Sequence, residues 1–149
     1  MEYDVFKITD DSVHQLEKLA EDALQDGYKI VRRTIDQWKS GENQFKSYQE
    51  VLYGVKVAEE IVAIGGINID PYLMDEDIGR LRHFYVHRVY RNKGIATTLL
   101  NKILEEKAAH YMVIRLTARN EVAMQLYEDY GFKKVVEFKA THIRVIKGK

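Results

Sequence analysis

The chain has 149 residues, with 23 Lys and Arg against 23 Asp and Glu, so its formal net charge is zero. That length predicts one domain spanning residues 1–149, and 46 % hydrophobic with 31 % charged residues excludes a disordered chain. The absence of Cys excludes a disulfide scaffold, a thiolate metal site and a Cys nucleophile together.

Tyr3, Val5 and Ile8 suggest a short first strand. Asp11 and Ser12 offer N-cap oxygens, with Gln15 as a capping-box partner. Val13, Leu16, Leu19, Ala20, Ala23 and Leu24 then recur at helical spacing, and Gly27 closes the helix. A second helix is expected over Tyr28–Lys39, and 40–43 is a turn. Glu50–Val57 and Ile61–Ile69 read as strands of a hairpin, and Gly65-Gly66 suggests a bulge in the second. Leu73–Gly79 is a polar loop and Arg80–His87 a further strand. A strongly periodic helix with one apolar stripe is expected from about Gly94 to Ala108. A strand at Tyr111–Thr117, a helix at Glu121–Tyr130 and strands near Phe132–Phe138 and His142–Ile146 complete the order. Antiparallel strands followed by a β-α-β crossover imply an α/β fold with helices on a mixed sheet.

Charge is balanced overall but not locally. Residues 1–60 carry 8 basic and 13 acidic side chains, net −5, and residues 131–149 carry 6 and 1, net +5. This pattern fits internal complementarity or solvated faces, and is too weak for a nucleic-acid footprint. No apolar run reaches the roughly 18 residues of a membrane span, and the acidic start has no signal core. A cytoplasmic location without membrane or nucleic-acid partners is the expectation.

The chemistry concentrates in Leu81–Ala96, LRHFYVHRVYRNKGIA. A strand ends, a basic turn follows, and a strong helix begins inside that turn. The first backbone N–H groups of a helix lack internal partners and sit at the positive end of its dipole, which suits a phosphate. Gly94 allows close backbone approach, and Arg91 and Lys93 add charge. Neither a three-glycine dinucleotide loop nor a P-loop fits, because the turn has one Gly and Lys93 precedes it.

The segment Arg91-Asn92-Lys93-Gly94-Ile95-Ala96 resembles the R/Q-x-x-G-x-G/A signature of the GCN5-related N-acetyltransferases, with Phe84-Tyr85-Val86 as the strand end before it. A second block also matches: Asn120, Ala123, Leu126-Tyr127 and Tyr130-Gly131-Phe132. The resemblance implies a mixed, mostly antiparallel sheet of six to seven strands flanked by about four helices. It implies acetyl-CoA as acyl donor, with no metal, and acetyl transfer to a small-molecule or peptide amine. Backbone amides from Arg91 through Asn92, Lys93, Gly94, Ile95, Ala96 and Thr97 would hold the pyrophosphate. Phe84, Tyr85 and Val86 would pair with the pantetheine, and one amide there would polarise the thioester carbonyl. The strand would splay from Tyr111–Thr117, and Asn120 would bond the emerging pantetheine.

Tyr127 matches the family's usual general acid; a phenol with pKa of about 10 is protonated at neutral pH. Its competing role is a core aromatic. No base is assigned: the strand positions that often supply one hold Arg80 and Arg82, the early position of the next strand holds Arg115, and His83 has the adjacent parity. Arg80 and Arg82 suit an acceptor carrying a carboxylate or phosphate, or pairing with the acidic loop Asp75–Asp77. Trp38, Ile35 and Tyr28 lie where the family walls its acceptor site, and are equally compatible with a core. His83 and His87 lack an evident third metal ligand. The competing functions are a non-catalytic acyl-CoA-binding or regulatory module and a transferase of longer acyl chains. Many relatives are dimers, so a homodimer is compatible with the resemblance.

Overall fold

The computed structural model describes residues 2–147. The strands are β1 Asp4–Lys7, β2 Val51–Val57, β3 Glu60–Ile69, β4 Ile78–Val86, β5 Val113–Leu116, β6 Lys133–Glu137 and β7 Ala140–Val145. The helices are α1 Glu17–Gln25, α2 Ile30–Ser40, α3 Ile95–Lys107 and α4 Glu121–Asp129. The strands form one seven-stranded sheet in the order β1-β2-β3-β4-β5-β7-β6. Every neighbouring pair is antiparallel except β4 and β5, which α3 joins as a crossover.

Period-two alternation sorts side chains to the two faces of the sheet. In β2, Val51, Tyr53 and Val55 meet Leu99, Leu100 and Ile103 of α3, whereas Leu52 meets the α1–α2 layer. That layer buries Leu19, Ala20 and Ala23 of α1 and Val31, Ile35 and Trp38 of α2, with Ile64 and Tyr85 from the sheet. Tyr127 of α4 joins the α3 side.

Gly27 and Gly41 adopt left-handed φ of 87° and 82° behind their helices, as the turn residues predict. The β2–β3 turn places both Ala58 and Glu59 at positive φ, 48° and 69°. This is the handedness that a two-residue hairpin turn requires, here met without Gly or Asn.

Three expectations need correction. The capping box at Ser12 does not form; Ser12 Oγ instead accepts from Thr9 N at 2.9 Å, and Val13–Leu16 is a 3₁₀ turn before α1. Strand β4 begins two residues before Arg80, at Ile78. The bulge lies on β4 rather than in β3. Ile64 faces Tyr85 and Gly66 faces Arg82, so His83 and Phe84 together oppose Gly65. His83 takes the left-handed φ of 64° there. The two glycines instead make room for rings: a Cβ at Gly65 would lie 2.7 Å from Phe84, and one at Gly66 would lie 2.7 Å from Phe45. The two oppositely charged ends do not pair: among the described residues no ion pair joins 1–60 to 131–147.

Candidate active site

The ladder between β4 and β5 has three rungs, Ile78–Val113, Gly79–Ile114 and Arg80–Arg115, and ends there. Beyond Arg80 the edge of β4 that faces β5 has no strand partner through Phe84, Tyr85 and Val86. An open edge of unpaired backbone groups can accept an extended chain as an added strand. The expected splay is therefore present, and the β4 bulge sits inside it.

At the mouth of the gap the chain passes through a 3₁₀ turn, Arg88–Tyr90, to the start of α3. Asn92 and Gly94 are both left-handed, at φ 63° and 80°, with Lys93 between them. Alternating handedness turns successive N–H groups toward one side, forming an anion-binding concavity. The first bond of α3 is Thr98 N to Gly94 O at 3.0 Å. The N–H groups of Ile95, Ala96 and Thr97 make no hydrogen bond among the described residues. A Cβ on Gly94 would meet nothing within 4 Å. Free amides, helix dipole and open space together fit a phosphate. Arg91, Asn92, Lys93 and Gly94 are exposed there.

An unforeseen carboxylate pair braces this loop. Asp22 of α1 and Asp26, the C-cap residue just after it, both face it. Asp22 accepts from Tyr85 Oη at 2.7 Å and from Arg88 Nε at 2.9 Å and backbone N at 3.2 Å. Asp26 accepts from Arg91 at 2.6 Å, and Arg91 Nε also holds the Val86 carbonyl at 3.0 Å. Burial alone would raise the Asp22 pKa, but the Tyr85 and Arg88 hydrogen bonds and the charge of His87 outweigh it and lower the pKa. His87 itself accepts from Val89 N at 3.1 Å and lies 3.4 Å from Asp22.

Tyr127 is buried on α4, edge-on to Phe84 with ring centroids 6.2 Å apart and to Phe132 at 6.0 Å. Its hydroxyl has no hydrogen-bond partner among the described residues. Burial pushes the phenol up to about 12, against the opposing charge of Arg119. The proton is thus held firmly, next to the bulged strand. Asn120 spends its Oδ1 on capping α4, accepting from Ala123 N at 2.9 Å, which leaves its amide N–H₂ as donor.

The bulge brings His83 to the face that also carries Arg82, against its expected parity. Thr34 of α2 donates its hydroxyl proton to the Ile30 carbonyl at 2.7 Å, so its oxygen accepts from His83 Nδ1–H at 2.6 Å. The lone pair of His83 therefore sits on Nε2, which is buried and has no partner among the described residues. Burial, reinforced by Arg82, Arg119 and Arg33, pushes the His83 pKa down to about 3. The unfolded chain takes up this proton near pH 6.5 and the folded one does not. Stability is then complete above about pH 6.5 and falls with acid by at most about 1.4 kcal/mol per pH unit. Asp22, lowered from 3.8, adds a further loss below that value. Urea titrations between pH 7 and 4 should show this decline, and His83→Gln should flatten it; an unchanged slope contradicts the buried neutral imidazole.

Arg80 and Arg115 pair with Asp70, not with the Asp75–Asp77 loop. Asp70 is 0 % exposed; Arg115 reaches it at 2.9 Å and Arg80 at 3.6 Å. Arg80 also donates to Thr117 Oγ1 at 2.8 Å and the Lys139 carbonyl at 2.6 Å, and Arg115 to Glu137 at 3.2 Å and the Phe138 carbonyl. The pair ties β4 and β5 to the β6–β7 turn at the point where the ladder ends. Asp70→Asn should cost about 3–5 kcal/mol in chemical unfolding, because two buried guanidinium groups lose their counter-charge. A loss below about 1 kcal/mol contradicts this account of the junction.

Trp38 and Ile35 belong to the core, Trp38 Nε1 donating to Asp10 at 2.8 Å. Tyr28 stays half-buried with the Arg119 guanidinium 5.3 Å over its ring, so it alone of the three faces the open side. The described residues contain no group of three or more side chains able to hold a metal, and no helix long and apolar enough to cross a membrane.

The structure thus presents a strand edge that opens beside a buried phenol and runs to an amide-lined helix start. Residues 13–132 match the model of the acetyltransferase (GNAT) family, and the chain belongs to that family, whose general reaction is acyl transfer from acetyl-CoA. Among solved structures it is similar to a candidate acetyltransferase from Exiguobacterium sp. 255-15, at 26 % identity over 97 % of this chain and 94 % of that one, TM-score 0.84. It shares its fold with a GNAT acetyltransferase from Staphylococcus aureus Mu50, at 17 % identity over 98 % of this chain and 100 % of that one, TM-score 0.73. The PaiA N-acetyltransferase from Thermoplasma acidophilum, solved with coenzyme A, has the same fold at 17 % identity, 98 % and 100 % coverage and TM-score 0.68.

Proposed function

We propose that the protein is an N-acetyltransferase that moves an acetyl group from acetyl-CoA to a primary amine by direct attack on the thioester. The observation that carries this is the β4–β5 gap, open from Arg80 onward and leading to the free amides of Ile95, Ala96 and Thr97. Acetyl-CoA supplies the activated acyl group and a thiolate leaving group. The amides of Asn92–Thr97 bind the pyrophosphate, and Phe84–Val86 orient the pantetheine along the strand. A β4 amide in the gap stabilises charge growing on the carbonyl oxygen, a donor whose loss typically costs about 10²–10³ in rate. Tyr127 Oη holds the proton that the departing sulfur takes. The bulge at His83 and Phe84 separates this side of the sheet from the α1–α2 face, where the amine enters.

The amine reaches the site mostly protonated, and freeing it costs about 4–5 kcal/mol at neutral pH. His83 Nε2 is a hydrogen-bond acceptor there, but its low proton affinity makes it a poor store for that proton. Water or uptake of the neutral amine meets the need, and we assign no base.

An acceptor screen with titration of released thiol tests the reading. Polyamines, amino acids, aminoglycosides and peptide N-termini form the panel. Acetylated amine formed in step with free thiol supports it. Tight acetyl-CoA binding with no product from any class would make the protein an acyl-CoA-binding module instead.

A further inference from the structure

Residues 85–91 join the two halves of the proposed acetyl-CoA site. They leave the open edge of β4, pass the 3₁₀ turn and deliver the chain to the start of α3. Among the described residues, every side-chain hydrogen bond from this segment to the rest of the protein runs to one place, the last turn of α1 and its C-cap. Arg88 donates from Nε to Asp22 Oδ1 at 2.9 Å, from Nη2 to Gln25 Oε1 at 3.0 Å and from its backbone N to Asp22 Oδ2 at 3.2 Å. Tyr85 Oη donates to Asp22 at 2.7 Å, and Arg91 Nη2 to Asp26 at 2.6 Å. The Arg91 guanidinium also lies 5.3 Å over the Tyr85 ring.

Arg91 does more than pair with Asp26. In a trans peptide the carbonyl points opposite to the next N–H. His87 N–H bonds the Val62 carbonyl of β3 at 2.8 Å, so the Val86 carbonyl points away from β3, toward the open edge. Arg91 Nε closes on that carbonyl at 3.0 Å. The Arg91 guanidinium therefore links the end of the open edge to Asp26. The placement of the acids also calls for a reason. Carboxylates at the C-terminal end of a helix oppose its dipole, and α1 has no basic residue in its last turn. Arg88 and Arg91 supply the counter-charge from the loop, so helix end and loop neutralise each other.

We infer that Asp22 and Asp26 are positioning residues for acetyl-CoA: through Arg88 and Arg91 they fix the bend between the open β4 edge and the start of α3, so that pantetheine and pyrophosphate are engaged together. This rests on the acetyl-CoA reading of the site. One molecule that spans two half-sites gains from both only where their separation is set in advance. Simple electrostatics argues for the opposite sign. An acid beside a phosphate site repels the phosphate, and Asp26 neutralises an arginine at its rim. Removing either carboxylate therefore tightens binding if charge alone matters, and weakens it if the bend matters.

The test is calorimetric titration of the full protein, Asp22→Asn and Asp26→Asn with acetyl-CoA and, separately, with ADP and acetyl-pantetheine, which carry one half of the molecule each. Both substitutions keep the size of the side chain. Asp26 is the more exposed of the two, so Asp26→Asn decides the matter if Asp22→Asn does not fold. Acetyl-CoA affinity should fall by about tenfold or more in each folded variant, while affinity for ADP and for acetyl-pantetheine falls by no more than about threefold. A role in stability alone does not separate the whole molecule from its halves in this way. Acetyl-CoA affinity that is unchanged or raised overturns the inference, and so does an equal loss for the whole molecule and its halves. The parent protein tests the underlying reading independently. A parent that binds no acetyl-CoA overturns that reading and this inference together. A parent that binds it, with variants that bind it as tightly, overturns this inference alone.

Discussion

Tyr127→Phe is expected to lower turnover by about 10²–10⁴, the usual range for positioned acid–base assistance. Acetyl-CoA affinity should change far less, because the hydroxyl acts as charge develops on the departing sulfur. The ring remains, so the edge contacts with Phe84 and Phe132 persist and the fold should hold. A CoA thiolate is a fair leaving group, which points to the lower end of that range. Steady-state thiol release and calorimetric titration on the same preparation decide the matter. Near-normal turnover, with single-turnover rates showing no slower masking step, would reduce Tyr127 to a packing residue.

Gly94→Glu should weaken acetyl-CoA binding by about 10²–10⁴-fold, the equivalent of two charge-assisted hydrogen bonds. The added carboxylate occupies the space open above Gly94 and repels the phosphates at close range. The left-handed φ of 80° costs an L-residue about 1–2 kcal/mol, so a folded protein is expected. A carboxylate at a helix start is otherwise favourable. Gly94→Ala carries the same backbone cost without the charge, and should lose much less affinity. Calorimetry showing unchanged affinity for Gly94→Glu would place the phosphates elsewhere.

The turn proposed to hold the phosphates was legible because it is local: one turn, one Gly and the start of a periodic helix all fall between Tyr85 and Ala108. The order of strands and helices was legible for the same reason. The bulge was not. Gly65-Gly66 marks where the sheet is irregular, but the extra residue sits across the ladder at His83, and pairing between strands leaves no local mark. That single insertion inverts the parity on which the placement of His83 rested. The bracing pair Asp22 and Asp26 reads in sequence as one solvated edge of a helix; only the fold brings Tyr85, Arg88 and Arg91 to it from more than 55 residues away. Asp70 likewise outcompetes the acidic loop for Arg80 and Arg115 because it alone is carried inside.

The claim on which all else depends is that acetyl-CoA lies in the β4–β5 gap with its phosphates on the start of α3. Amide hydrogen exchange, followed residue by residue with and without acetyl-CoA, tests it most directly. Slowed exchange should be concentrated at Asn92–Thr97 and at Phe84–Val86, with the Lys133–Val145 hairpin and the outer face of α2 unchanged. Protection confined to other segments, or none at saturating acetyl-CoA, would contradict the account.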